Sequence, residues 1–258
     1  MERKEMTRLR VGTWNIKGGR GARDLLDPGD KTRYLDQIAQ VIFLKGLQVV
    51  VLQEVDVWAR RSGRVHQPCY LARRLARLTG DKWRYVFAKA IPLGWGAYGN
   101  AILTSLPIKQ VTRVSLAVPG QKAEKRVFLF ARMLLPGNKP VGAGCFHLSA
   151  RDASLRLQEA EKIKTSLHGD LFPLPPFFLG GDLNEERHGT VYRKMLEDKF
   201  SLKDLGPLEG SSYRPPDTGF RARIDYLFGY GISACSSGVV AAGDSSDHDL
   251  IWAECEIG

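Results

Sequence analysis

Leu47-Gln48-Val49-Val50-Val51-Leu52-Gln53-Glu54 is the stretch that decides the fold. The apolar run Leu47 to Leu52 has the length and β-branched content of a strand buried on both faces, and it ends on a carboxylate, Glu54. The segment before it, Lys31 to Lys45, carries Tyr34, Leu35, Ile38, Ile42 and Leu44 at helical spacing, with Gly46 as a C-cap candidate. Further upstream, Arg8 to Trp14 alternates and reads as a first strand, and Lys17 to Gly21 reads as a flexible glycine-rich loop. A strand, helix, strand order follows.

The same alternation continues downstream. Gln67 to Leu78 reads as a helix with Leu71, Leu75 and Leu78 on one face and Arg73, Arg74 and Arg77 on the other. Strands are expected at Trp83–Ala88, Asn100–Ser105, Val127–Leu135, Val141–His147, Ile224–Phe228 and Leu250–Ile257. Pro136-Gly137-Asn138 supplies a hairpin turn. Helices are expected at Ser154–His168 and Thr190–Phe200, with Phe177-Phe178-Leu179 between them leading into Gly180-Gly181-Asp182. Many strands with about four helices point to two packed sheets with helices outside, in one domain spanning residues 1–258.

Four polar motifs sit at the ends of these strands: Thr13-Trp14-Asn15, Leu52-Gln53-Glu54-Val55, Gly180-Gly181-Asp182-Leu183-Asn184 and Ser246-Asp247-His248. Together they supply the carboxylates, amides and imidazole that hold a hard metal ion and direct water at a phosphodiester. No apolar run approaches ~18 residues, so a transmembrane segment is not expected. The first ten residues lack a signal core, and the four dispersed cysteines read as buried free thiols, so a cytoplasmic location is expected. No obligate protein partner is evident.

The net charge of +10 is lopsided: residues 1–130 carry +14 and residues 131–258 carry −4. Arg60 to Lys89 holds nine bases against Asp81 alone. A basic face beside an acidic site suits a polyanion, although basic charge also serves solubility alone.

Asn15, Glu54, His147, Asp182, Asn184, Asp247 and His248, in this order, resemble the endonuclease/exonuclease/phosphatase (deoxyribonuclease-like) superfamily. The likeness extends to its bacterial and archaeal metal-dependent hydrolase branch through Leu52 to Asp56, Arg61-Ser62-Gly63, Tyr98 to Leu103, Arg223-Ile224-Asp225-Tyr226 and Ser246-Asp247-His248. The resemblance implies a four-layer α/β sandwich, two mixed β-sheets flanked by helices, and Mg²⁺-dependent phosphoester hydrolysis with Mn²⁺ as a substitute. By the same resemblance Asp182 orients or deprotonates water, Asn184 holds a phosphoryl oxygen, and His248 donates to the oxygen gaining charge. Asp225 supports His248, and His147 forms a second imidazole. The resemblance makes Glu54 the main metal ligand, joined by Asn15, which can instead donate its amide to the phosphate, and by Asp247, which can instead contact a neighbouring imidazole. Asn100 and the α-helical arginines Arg73, Arg74 and Arg77 are candidate substrate contacts.

Each residue has a plainer reading. Asp182 can close an Asx turn, Asp225 can pair with Arg223, and the arginine stripe can be a solvated helix face. Trp95, in Pro92-Leu93-Gly94-Trp95-Gly96, can stack on a base, enter a lipid interface or cap the core. Phe146-His147-Leu148-Ser149 departs from the Tyr and Asn that AP endonucleases carry there, which argues against an abasic-site enzyme. The expected function is a Mg²⁺-dependent phosphodiesterase acting on nucleic acid, as an endonuclease or exonuclease of DNA-repair type. Phospholipid (sphingomyelinase-like) or inositol phosphate hydrolysis is the alternative. A binding module with a dead site would need a missing motif residue, and none is missing.

Overall fold

The computed structural model describes residues 7–24, 30–169, 171, 173–197 and 201–257. Twelve strands fall into two six-stranded sheets, and the end of the expected helix at 198–200 lies outside the described residues. The first sheet contains β1 (Thr7–Asn15), β2 (Val49–Val57), β3 (Arg84–Leu93), β4 (Gly96–Thr104), β11 (Ile232–Val240) and β12 (Leu250–Ile257), in the order β11-β12-β1-β2-β4-β3. The second contains β5 (Ile108–Ser115), β6 (Val127–Leu134), β7 (Pro140–His147), β8 (Phe177–Asp182), β9 (Lys203–Asp204) and β10 (Asp225–Tyr230), in the order β5-β6-β7-β8-β10-β9. Helices α1 (Arg33–Leu44), α2 (Gln67–Thr79), α3 (Ala153–His168) and α4 (Thr190–Leu196) complete the chain order.

Each sheet is antiparallel except for one central pair: β1 runs parallel to β2 and β7 to β8. Parallel neighbours need a long crossover, and α1 and α3 supply them. Asn15, His147 and Asp182 close β1, β7 and β8, and Glu54 lies three residues before the end of β2.

Burial follows the strand period. Val49 and Val51 point between the sheets, together with Val11, Ile102, Leu129, Cys145, Phe178 and Leu227. Val50 and Leu52 point the other way, onto α1 and α2 through Ile38, Ile42, Leu71 and Leu75. In the second sheet Phe128, Phe130, Phe146, Phe177 and Phe228 pack against Ile163 and Leu167 of α3 and Met195 of α4. The result is a helix, sheet, sheet, helix sandwich with three apolar layers. A strand between two such layers must be apolar on both faces, which explains the run at Leu47 to Leu52.

Three strands escaped the sequence pattern. β5 and β11 are edge strands with exposed or half-buried residues, such as Lys109-Gln110 and Ser236-Ser237, so their composition carries little alternation. β9 is two residues long. The segment Lys17–Gly19, expected to be flexible, is a 3₁₀ turn with Gly18 and Gly19 buried. Gln67 Nε2 donates to the Gly18 carbonyl at 2.5 Å. The four cysteines are free, but Cys235 is exposed on β11 and Cys69 is half-buried; only Cys145 and Cys255 match the buried expectation. No helix among the described residues is long and apolar enough to cross a membrane.

The sheets approach closely at Gly180. A Cβ there would meet Val51 Cγ2 at 2.5 Å and Thr13 Cβ at 2.9 Å. Both contacts belong to the opposing sheet, so the collision cannot be relieved by turning one flexible side chain. Gly180→Ala should therefore lose about 1–3 kcal/mol through overpacking. Urea unfolding checks this: the midpoint should fall while the slope stays at the wild-type value.

Candidate active site

The strand register builds the site before any side chain is placed. On β7 and β8 His147 lies beside Asp182, and across β8 and β10 Asp182 lies opposite Asp225. Three titratable groups thus form one row at the edge of the second sheet. The first sheet brings Asn15 and Glu54 to face it from β1 and β2.

Glu54 reaches the site through a β-bulge. The β2–β4 register shifts between Leu52 and Val55, and Glu54 has φ of 56°. Val50, Leu52 and Val55 all belong to the helix-side layer. Gln53 is buried on the sheet-to-sheet side, where its amide contacts Thr13 Oγ1 at 3.1 Å and Cys145 Sγ at 3.3 Å. Glu54 is therefore the inserted residue, held in the left-handed region that a non-glycine residue rarely adopts. Such strain persists where surrounding structure enforces it, commonly at functional sites. The strand continues to Val57, three residues beyond the end expected from the sequence.

The terminal motif is fixed by hydrogen bonds to β1. Trp14 Nε1 donates to the His248 carbonyl at 2.8 Å, and Ser246 Oγ donates to the Asn15 carbonyl at 2.7 Å. Residues 241–249 are not a regular strand, so adjacent Asp247 and His248 can both line one pocket.

Asp182 is the hub. Its Oδ1 accepts from the Asn184 backbone N–H at 2.7 Å, and its Oδ2 accepts from Asn15 Nδ2 at 3.2 Å. The same Oδ2 lies 3.6 Å from His147 Nε2 and 3.9 Å from His248 Nε2. The Asx turn and the site geometry coexist here. Asn184, at φ of 52°, also donates to the Leu148 carbonyl at 2.9 Å. Burial, and then the facing Asp225 carboxylate, push Asp182 up to about 7.

Asp225 does not pair with Arg223, which instead binds Asp204 at 2.9 Å. Its Oδ2 bonds His248 Nδ1 at 2.8 Å, and its Oδ1 is buried without a partner. Burial opposes a charge on His248, but Asp225, Asp182 and Asp247 outweigh it and hold the imidazolium up to about 10. His147 behaves oppositely. Burial, then Arg126 and His248, push it well below its usual value. Arg126 Nη1 lies 3.2 Å from His147 Nδ1. A guanidinium can only donate, so Nδ1 must accept, and the ring proton sits on Nε2, facing Asp182.

His147, Asp182 and His248 line one cavity of about 340 Å³ with Glu54, Asn184, Asp247, Tyr98, Tyr213, Lys17, Arg20, Arg61, Glu124 and Arg126, and Asn15 and Asp225 bond to Asp182 and His248 from behind it. Lys17 donates to Asp247 Oδ2 at 2.8 Å. Arg61 forks onto Asp56 with two bonds of 2.9 Å. The Tyr213 ring packs 4.7 Å from that of His248. The sequence reading did not single out Lys17, Arg126 or Tyr213 as site residues. Only the topology brings them here, and no local motif marks them.

Two other candidates lie elsewhere. Asn100 shares the inward face of β4 with Ile102, and its amide donates to the Val127 carbonyl at 2.9 Å. It links the two sheets and does not line the cavity. Arg73, Arg74 and Arg77 line a separate depression with Asp36 and Tyr70, where Arg74 pairs with Asp36 at 2.8 Å. They sit on the solvent side of α2, because its Leu71 and Leu75 face sheet one.

Glu54, Asn15 and Asp247 carry oxygen atoms that could hold a hard cation. Asp182, Asp225 and His248 also offer donors within 4.8 Å of one another. In that trio the imidazole Nδ1 is already committed to Asp225, and a hard cation favours the oxygen-rich side. The strained Glu54 carboxylate, aimed into the cavity, fits such an ion.

A model of the Endonuclease/Exonuclease/phosphatase family matches residues 12–248. An endonuclease/exonuclease/phosphatase family protein from Bacteroides thetaiotaomicron superposes with a TM-score of 0.79 at 16% identity, covering 99% of this chain and 100% of that one. A mannosyl-6-phosphatase of the same organism gives 0.72 at 16% identity, over 96% and 99%. The human Nocturnin catalytic domain with bound sulfate gives 0.73 at 15% identity, over 97% and 96%. No curated protein matches the sequence.

The Asp225–His248 pair makes stability depend on pH. His248 has its folded pKa raised from 6.5 to about 10, so its contribution is complete below about 6.5 and is lost as pH rises through about 10. In EDTA, unfolding free energy should decline across that window. Asp225→Asn should flatten the decline, as measured by urea titrations at several pH values; an unchanged slope would remove the pair from this role.

Proposed function

The chain belongs to the endonuclease/exonuclease/phosphatase family, whose members are hydrolases, and from that premise we propose that it is a divalent-metal-dependent phosphodiesterase of nucleic acid. The observation that carries the reading is Asp182 Oδ2, set 3.2 Å from Asn15 and 3.6 and 3.9 Å from two imidazoles. A carboxylate, a charged imidazole and a neutral imidazole around one oxygen are suited to moving a proton from water while phosphoryl charge is offset.

Glu54, with Asn15 and Asp247, would hold Mg²⁺. When bound there, the ion supplies Lewis-acid neutralisation of a phosphoryl oxygen. The protein groups have separable tasks. Asp182, at about 7, is matched to accept a proton from water near neutral pH. His248 keeps its Nδ1 on Asp225 and presents Nε2–H to a phosphoryl oxygen. His147, neutral and protonated on Nε2, adds a donor without adding charge. The second amide hydrogen of Asn184 can meet another oxygen. Donors preset in this way cost no reorganisation as charge develops.

Nucleic acid is favoured as substrate by the +14 charge of residues 1–130, while the cations lining the cavity are each paired, Lys17 with Asp247, Arg20 with Asp24, Arg61 with Asp56 and Arg126 with Glu124. The test is hydrolysis of single-stranded DNA, duplex DNA, RNA, bis-p-nitrophenyl phosphate and sphingomyelin, with Mg²⁺ and with EDTA. Oligonucleotide and bis-p-nitrophenyl phosphate cleavage lost in EDTA is the expected result. Sphingomyelin cleavage without oligonucleotide cleavage would transfer the site to a lipid phosphodiester.

Glu54→Gln should weaken metal affinity and turnover together. Asp182→Asn and His248→Ala should each lower kcat by ~10²–10³ with a folded circular-dichroism spectrum. Full activity in any of the three would remove that residue from the chemistry.

A further inference from the structure

Two tryptophans stand in solvent beside the catalytic cavity, and the mechanism uses neither. Trp95 occupies the tip of the β3–β4 hairpin and is fully exposed, which excludes a core-capping role. Trp58 follows β2 and is 55% exposed, with φ of 57°. For a bulky residue that conformation is a genuine outlier, and it projects the indole outward where burial would otherwise be favourable.

The two are neighbours on one rim. A Cβ at Gly96 would come within 2.6 Å of the Trp58 carbonyl carbon, so the hairpin tip lies directly on the Trp58 backbone. The rim is continuous with the cavity. Arg61, just past Trp58, lines it, as do Ile91 and Tyr98 of the hairpin. In the other direction the aromatic surface extends from Trp58 to His66, at 5.5 Å between ring centroids, and on to Tyr85 at 5.4 Å. Past Tyr85 lie Arg73, Lys82 and Arg84. The two tryptophans flank the basic segment: Trp58 precedes and Trp95 follows the stretch Arg60 to Lys89, which holds nine bases and one acid.

We propose that Trp58 and Trp95 form a base-stacking subsite for unpaired nucleic acid, so that the enzyme selects single strands over duplex. The proposal rests on the nucleic-acid reading of the cavity. Its chemistry is that of exposed aromatic rings set among cations: rings stack on bases whose faces are free, and Lys and Arg track the phosphates. Duplex bases keep their faces covered, so the aromatic contribution is lost while the charge remains. A bilayer would be met by aromatics too, but the large apolar side chains that stand exposed on this rim are aromatic, while its aliphatic Ile91 and Leu93 are half-buried. Basic charge with aromatics foremost fits a polynucleotide better than a lipid interior.

The experiment measures anisotropy of a labelled single-stranded oligonucleotide and its duplex in EDTA, alongside Mg²⁺-dependent hydrolysis of bis-p-nitrophenyl phosphate. Trp58→Ala and Trp95→Ala should each raise the single-strand Kd by roughly tenfold. Duplex affinity and small-diester kcat/KM should stay within twofold of wild type, and Trp58→Phe should recover most of the loss. Unchanged single-strand affinity in both alanine variants would overturn the subsite, as would a parallel loss of small-diester turnover. Flotation with phosphatidylserine vesicles that depends on Trp58, with oligonucleotide affinity unaffected, would assign the rim to membranes. A wild-type enzyme that cleaves the small diester but binds and cuts no oligonucleotide would instead refute the substrate reading itself.

Discussion

Two carboxylates, Asp182 and Asp225, face each other across adjacent strands, both almost fully buried at the floor of the site. Much of the site answers to that constraint. Two desolvated negative charges at this separation cannot both persist without compensation. His248 provides it, bonded to Asp225 through Nδ1 and lying 3.9 Å from Asp182 through Nε2. Trp14 and Ser246 then hold the His248 segment against β1. The imidazolium thus stabilises the folded site and presents a donor to the cavity, and neither task can be separated from the other by a single substitution.

The central part of the fold was legible because buried strands leave a strong signature. Leu47 to Leu52 and Phe177 to Leu179 are apolar on both faces, and α1 and α2 show the matching helical stripe. Edge strands gave no comparable signal, since β5 and β11 expose half their residues and need little alternation. The site was legible to the extent that its residues sit at strand ends. Glu54, His147, Asp182, Asn184, Asp247 and His248 line one cavity, with Asn15 and Asp225 bonded to them, because β1, β2, β7 and β8 finish and β10 starts on the same side.

What the sequence withheld was spatial. Nothing local says that Glu54 is the extra residue of a bulge; only the shift from Leu52 to Val55 in the helix-side layer reveals it. Arg126 precedes β6 and looks like one base among many, yet its guanidinium fixes which nitrogen of His147 carries the proton. The arginines of α2 looked like a phosphate track by density of charge. The helix turns them away from the cavity because its leucines take the other face. Asn100 stood as a candidate substrate contact at the start of an expected strand, but strand alternation sends it between the sheets.

The division of the site between two sheets makes alignment a matter of mechanical tolerance. Asn15 and Glu54 ride on one slab, and His147, Asp182 and Asp225 ride on the other. Their spacing is set by the thickness of the interleaved layer of Val51, Thr13, Gln53, Cys145 and Gly180. Like the jaws of a vice, the slabs transmit any change in that layer to both halves at once. A single methylene added in the filling would move reactive groups that it never touches, so selection for catalysis extends into a layer that looks purely structural.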